Sequence, residues 1–147
     1  MEPDEMEVNR MDKKTYLCRY HNLMRRIEHL EKDIERCRQL ASSIPGPNYD
    51  RPVVDGTRNL EAPFVKWVYR ELEDEEELKK LRPEAENVKT ETIDAISGIG
   101  DTELESVLIY RYIYWNSWNE IADKVYASST QVRRLHDKAL ELFEVSK

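Results

Sequence analysis

The feature that most constrains this chain is residues 12–41, a stretch that contains neither glycine nor proline. Apolar residues follow an unbroken heptad pattern there, with Tyr16, Leu23, Leu30 and Cys37 at one position and Tyr20, Ile27, Ile34 and Ala41 at the other. This spacing is typical of a long amphipathic helix whose apolar face packs against another helix. It predicts one long helix from Asp12 to about Ala41, after an acidic disordered tail at residues 1–11.

Composition extends the helical prediction to the whole chain. The 147 residues include only four glycines, and 39% of them are hydrophobic and 36% charged. These proportions are closer to helical and coiled-coil proteins than to β-sandwiches, and the length suits one domain or a small domain with a helical appendage. We expect an all-α protein in which a long N-terminal helix forms an antiparallel helical hairpin, followed by a C-terminal trihelical helix-turn-helix domain.

The next stretch, residues 42–63, cannot continue the first helix, because it contains four prolines and two glycines. It is predicted to be a long connector that lets the following helix fold back on the first. Apolar residues of 64–96 then mark two helical segments, with a kink or restart at Pro83. The acidic run EDEEE at 73–77 is interpreted as a solvated face. The alternative is that it docks a basic partner or repels DNA.

A second break, SGIG at residues 97–100, separates a hairpin or coiled-coil region at 12–97 from a predicted helix-turn-helix DNA-binding domain at 98–147. Thr102 with Glu105 and Ser117 with Glu120 match capping boxes, and Ser128 can cap a third helix. Helical spacing predicts inward-facing residues in each of the three helices: Leu104, Val107, Leu108, Tyr112 and Ile113; Trp118, Ile121, Ala122 and Val125; Val132, Leu135, Ala139 and Leu142.

On the third helix, Thr130, Arg133, Arg134 and Asp137 project from the opposite side at 100° per residue. The order of the last two predicted helices matches the helix-turn-helix pattern, which consists of a short helix, a tight turn and a second helix, with a small residue, here Ala122, where the helices cross. In that pattern the second helix enters the DNA major groove. Arginine can donate two hydrogen bonds to guanine, and glutamine can pair with adenine. Five aromatic residues lie nearby: Tyr110, Tyr112, Tyr114, Trp115 and Trp118. They are interpreted mainly as core residues, and the alternative is that they stack on single-stranded bases.

The segment SWNEIADKVYASSTQVRRLHDKALELF resembles region 4 of bacterial sigma factors. The matching residues are Glu120, Ile121, Ala122, Ser128, Val132, Arg133, Lys138, Ala139 and Leu140. The full layout is similar to small phage and prophage proteins, and to late-gene transcription regulators of the ArpU and RinA type. Three positions depart from the sigma pattern. Glu105 stands where a basic residue is frequent, and Ser129 and Gln131 are neutral where arginine is frequent.

The resemblance implies sequence-specific binding of double-stranded DNA by a phage-type transcription regulator, with an additional contact to RNA polymerase. It places the DNA contacts on Ser129, Thr130, Gln131, Arg133, Arg134 and Lys138, with Ser129 and Lys138 on phosphates. The expected location is the cytoplasm and nucleoid of a bacterial host cell. The formal net charge of −7 restricts such binding to a local basic patch.

The heptad pattern leaves the oligomeric state open. It can drive a homodimer that doubles the phosphate contacts, or it can pack only against residues 64–96 of the same chain. The alternative function is a DNA-packaging component of the small terminase subunit type, which also couples a helix-turn-helix to an oligomerising coiled coil. No nucleophile-base pair, phosphate-binding loop or metal-ligand spacing is recognised, so no enzyme activity, cofactor or metal is expected. No stretch is apolar enough to suggest a membrane span.

Overall fold

The computed structural model describes the backbone of residues 3–43 and 63–145, with side chains from residue 12 onward. The helices in these ranges are α1 at Pro3–Ser43, α2 at Val65–Ser97, α3 at Thr102–Leu108, α4 at Trp118–Val125 and α5 at Ser129–Leu142. A π-helical turn at Ile109–Ile113 continues α3. The described residues contain no β-strand, which confirms the all-α class. Most of the predicted connector at 42–63 lies outside the described residues.

Helix α1 starts earlier than the sequence pattern predicts. Its backbone is helical from Pro3, so residues 3–11 continue α1 in the structure, where the sequence predicts a disordered tail. Proline suits the first turn of a helix, because the N–H that it lacks would be unpaired there. The chain forms two compact units: Arg25–Arg82, and Met1–Met24 together with Pro83–Lys147. Helices α1 and α2 therefore contribute to both units.

In the unit Arg25–Arg82, α1 and α2 run antiparallel, as predicted. Arg26, early in α1, donates to Glu77 at 3.1 and 3.0 Å, whereas Arg38, late in α1, donates to Glu71 at 2.6 Å, a position earlier in α2. Four of the heptad residues are buried here: Ile27, Leu30, Ile34 and Cys37. The apolar face of this part of α1 is therefore covered within the chain itself.

The acidic run at 73–77 does more than form a solvated face. Glu75 and Glu77 accept hydrogen bonds from arginines of α1, and Glu76 pairs with Lys79 one turn along α2. Exposed ion pairs of this kind contribute about 0–1 kcal/mol each, so they add little to the stability of the helical hairpin. Asp74 differs from its neighbours, since burial and the adjacent Asp33 carboxylate raise its pKa to about 6.

Of the kink or restart predicted at Pro83, the restart is not found: α2 is one helix, Val65–Ser97, that contains this proline. The division between the two compact units falls at the same point, between Arg82 and Pro83. Leu72, one of the apolar residues of 64–96, is 51% exposed and therefore does not belong to the buried core of the unit Arg25–Arg82.

The core of the second unit joins the first two helices to the C-terminal segment. Leu17 from α1 and Ile96 from α2 belong to one buried cluster with six residues from further along the chain: Leu104, Leu108, Tyr112, Ala139, Leu140 and Phe143. The Lys13 ammonium also donates to the Leu140 carbonyl oxygen at 2.8 Å, near the end of α5. The predicted boundary at residue 98 coincides with the turn after α2, but the hydrophobic core does not divide there.

The predicted helix starts are confirmed for α4 and α5 and wrong for α3. Asp101, and not Thr102, caps α3, because its carboxylate accepts the N–H groups of Glu103 and Leu104 at 3.0 and 3.3 Å. Ser117 accepts the Glu120 N–H at the start of α4, and Ser128 caps α5. At the end of α5 the prediction for Leu142 is also wrong: 51% of it is exposed, and Phe143 is fully buried instead.

We expect Leu17→Ala to lower the free energy of unfolding by about 2–4 kcal/mol, because the lost side chain leaves a cavity in a fully buried cluster. Urea denaturation followed by circular dichroism measures the change. Leu142→Ala is the matched control in the same unit, and its effect should stay within about 0.5 kcal/mol, since its side chain is half exposed. Equal effects of the two substitutions would contradict this description of the core.

Candidate nucleic-acid interface

Helices α4 and α5 are joined by a three-residue turn, Tyr126 to Ser128. Tyr126 adopts the left-handed conformation with φ 56°, and its N–H donates to the Ala122 carbonyl to close α4. A left-handed conformation costs an L-residue other than glycine about 1–2 kcal/mol. The Tyr126 side chain is 96% exposed, so little packing compensates this cost. Ser128 then begins α5 with a full capping box, in which its side chain accepts the Gln131 N–H at 3.2 Å.

One face of α5 is anchored in the protein. Val132 packs in a buried cluster with Ala122 and Ile121 of α4 and Val107 of α3, and Ala139 and Leu140 are buried in the other cluster of the same unit. This burial fixes which edge of the helix faces solvent. Of the six predicted DNA-contacting residues, Ser129 is half-buried. The other five are exposed on this edge: Thr130, Gln131, Arg133, Arg134 and Lys138.

The exposed cations of α5 differ in their surroundings. Within the described residues, Arg134 and Lys138 form no hydrogen bond and no ion pair. The Arg133 guanidinium carbon lies 6.0 Å from the centre of the Trp118 ring. By contrast, Arg26, Arg38 and Arg70 in the other unit all donate to carboxylates. The cationic edge of α5 is therefore available to an external anion.

Gln131 has a structural role that the sequence analysis did not assign to it. Its side-chain oxygen accepts the Ser128 N–H at 3.0 Å, which completes the capping box of α5. The bidentate contact of glutamine with adenine needs both the oxygen and the amide N–H groups. In this conformation only the N–H groups of Gln131 can meet a base.

A buried polar pair beneath α5 was missed by the sequence analysis. His136 is buried, and its Nε2 lies 2.7 Å from the Tyr112 hydroxyl. Burial lowers the pKa of His136 to about 4 and raises the pKa of Tyr112. His136 is therefore neutral near pH 7, and its Nε2 accepts a hydrogen bond from the Tyr112 hydroxyl when the ring proton is on Nδ1. The available signal was spacing, since His136 follows Val132 by four residues and precedes Ala139 by three, on the same face of the helix.

Most of the five aromatic residues between positions 110 and 118 have contacts within the protein. Trp115 is stacked on His21 with ring centres 3.5 Å apart and an interplanar angle of 4°. The Arg111 guanidinium lies 4.2 Å from the centre of the half-buried Trp118 ring and donates to the Asn116 carbonyl at 3.0 Å. These contacts favour the packing interpretation over stacking on bases. Tyr114 is the most exposed of the five, at 64%.

Comparisons of the chain with protein-family models, curated proteins and solved structures found no match. The family resemblance described from the sequence therefore stays a prediction. Among the described helices, none combines the length and the apolar character needed to cross a lipid bilayer.

Tyr126→Gly should raise the free energy of unfolding by about 0.5–1 kcal/mol, because glycine adopts a positive φ without steric cost but loses more entropy on folding. Thermal or urea denaturation measures the difference. Tyr114→Gly is a suitable control, since Tyr114 is also exposed but has φ −90°, and glycine there should not stabilise the protein. Destabilisation by Tyr126→Gly would show that the exposed ring contributes packing.

Stability should depend on pH through His136. Its pKa in the folded protein is below its ordinary value, so its contribution is fully present above about pH 6.5 and is lost as pH falls towards 4. Between pH 7 and pH 5 the loss should be about 2 kcal/mol. Urea denaturation at both values compares the wild type with His136→Gln, which lacks this titration. The same pH dependence in both proteins would contradict the assignment.

Proposed function

We propose that the protein is a sequence-specific DNA-binding transcription regulator of the phage or prophage type. In this proposal α4 and α5 form a helix-turn-helix unit, and the N-terminal half of α5 enters the major groove as the recognition helix. The single observation that carries it is the solvent-facing cationic edge of α5, where Arg134 and Lys138 lack an intramolecular partner among the described residues. The resemblance of residues 117–143 to sigma factor region 4 supports the same role.

The proposed contacts follow from the chemistry of the exposed side chains. Arg133 and Arg134 would donate paired hydrogen bonds to guanine, and Thr130 would contact a base edge or a thymine methyl group. Lys138 would bind a phosphate. Ser129 would also contact a phosphate, with the N–H groups at the start of α5 beside it. Gln131 keeps a smaller part in the proposal, through its amide N–H groups, since its oxygen is used in the capping box.

The electrostatic part of this binding would be modest. Each phosphate contact adds about −0.9 to the slope of log binding constant against log salt concentration. Two or three such contacts therefore cannot hold a DNA site tightly. The acidic chain adds no general attraction for DNA, because its formal net charge is −7. A second contact is therefore part of the proposal. We place it between the helical hairpin and a protein partner bound to the same promoter, such as RNA polymerase.

A homodimer through the heptad face of α1 is a weaker source of additional affinity. Ile27, Leu30 and Ile34 are already buried within the unit Arg25–Arg82. A coiled-coil dimer through these residues would have to displace α2. The same burial weighs against the packaging alternative, which needs an oligomerising coiled coil. A ring of many subunits in solution would reverse this preference, and light scattering of the purified protein measures it.

The Arg133→Ala plus Arg134→Ala protein should recover far fewer specific sites than the wild type when bound DNA is collected across the host genome. Loss of one bidentate guanine contact costs about 1–3 kcal/mol, so two substitutions should weaken binding at least about tenfold. Lys79→Ala plus Lys80→Ala removes the same charge from an exposed part of α2 and should keep the binding sites.

Recovery of the same sites by the wild type and the double arginine variant would reject the proposed interface. A parallel urea denaturation distinguishes lost contacts from lost folding. Both arginine side chains are exposed, so the free energy of unfolding should change by less than about 0.5 kcal/mol.

A further inference from the structure

Two carboxylates and a thiol meet in the unit Arg25–Arg82, far in sequence from the proposed DNA-binding residues. Asp33 and Cys37 come from successive turns of α1, and Asp74 comes from α2. One ligand atom of each residue, a carboxylate oxygen or Sγ, lies within 4.8 Å of the other two. Asp33 and Cys37 are almost fully buried, with 4% and 1% of their surface exposed.

One atom of this cluster lacks the hydrogen bond that buried polar atoms normally have. Asp74 Oδ2 is buried and has no hydrogen-bond partner among the described residues. An unsatisfied buried carboxylate oxygen costs free energy, and such a group calls for an ion, a water or a proton that satisfies it. The buried Cys37 sulfur belongs to the same cluster, so a metal ion bound there would meet both a carboxylate oxygen and a thiolate.

We propose that Asp33, Cys37 and Asp74 bind a divalent transition-metal ion of the zinc class. Thiolate sulfur and carboxylate oxygen are both common zinc ligands, and zinc sites use four ligands in a tetrahedral arrangement. The chain supplies three, which leaves the fourth position for water. The ion would hold α1 and α2 together in this unit, which is a structural role separate from DNA binding.

The charges around the cluster suit such an ion. Arg70 donates to both oxygens of Asp33, at 2.9 and 3.0 Å, and thereby fixes the orientation of this carboxylate without binding the ion itself. The two carboxylates, a thiolate and the Arg70 guanidinium carry two net negative charges, which a divalent cation neutralises. Arg36 approaches Asp33 at 3.8 Å, but 65% of its side chain is exposed and water screens its charge.

The prediction of no metal site rested on ligand spacings within one segment of the chain, and these ligands come from two segments. The spacing of Asp33 and Cys37 places them on one face of α1, but Asp74 is reached only through the packing of α2. A single helical pair of ligands is too common a pattern to predict a metal site on its own.

Cobalt(II) is the probe for this site, because a cobalt–thiolate bond gives a charge-transfer absorption band in the near ultraviolet. The full-length protein, stripped of metal with a chelator, should develop this band with one equivalent of Co²⁺ and lose it when Zn²⁺ is added. Cys37→Ser should abolish the band. Cys18→Ser is the matched control, since Cys18 lies on the same helix outside the cluster, and it should leave the band unchanged.

Asp74→Asn should weaken Zn²⁺ binding at least about tenfold, measured by competition with a chromogenic chelator. Zn²⁺ should also raise the unfolding temperature of the wild type and of Cys18→Ser, but not that of Cys37→Ser. Circular dichroism of each variant before metal addition checks that the helices are formed.

The proposal is overturned if the wild type shows no cobalt–thiolate band, if the band persists in Cys37→Ser, or if Asp74→Asn binds Zn²⁺ as tightly as the wild type. These measurements are independent of DNA. A loss of metal binding in the cluster variants together with unchanged DNA recovery would separate this site from the proposed function.

Discussion

The burial of apolar side chains of α1 in both units is the constraint on which the rest of the structure depends. Helix α1 contributes Ile27, Leu30, Ile34 and Cys37 to the core of one unit, and Leu17, which lies beside the heptad positions, to the core of the other. Each fully buried side chain of this size stabilises the fold by roughly 1.5–3 kcal/mol relative to its exposed state. The C-terminal helices share the Leu17 cluster, so α5 is positioned by a core that includes α1 and α2.

The charged side chains of the unit Arg25–Arg82 and those of α5 differ in whether they are paired. Between α1 and α2 of the unit Arg25–Arg82, arginines are matched with carboxylates, and this accounts for both the basic character of α1 and the acidic run of α2. On α5 the exposed cations have no such carboxylate partners among the described residues. An overall acidic protein can therefore present one local cationic edge, since carboxylates of the helical hairpin pair with Arg26, Arg38 and Arg70 instead.

The predictions from sequence succeeded where local chemistry decides the outcome. The capping serines at 117 and 128 mark the starts of α4 and α5, because a hydroxyl at that position satisfies an N–H that the helix leaves unpaired. The exposed edge of α5 also followed from helical periodicity. The cap of α3 was misassigned by one residue, since Asp101 and Thr102 are both good capping residues and only the backbone conformation distinguishes them.

The sequence by itself determined the all-α class, the break after α2 and the polar edge of α5, since each depends on residues close together along the chain. Only the tertiary structure decided that Leu17 and Ile96 complete the core around α5, that Tyr112 meets His136, and that Asp74 lies beside Asp33 and Cys37. Those contacts join residues far apart in sequence. Helical periodicity specifies which face a residue occupies, but which other face it meets depends on how the helices pack.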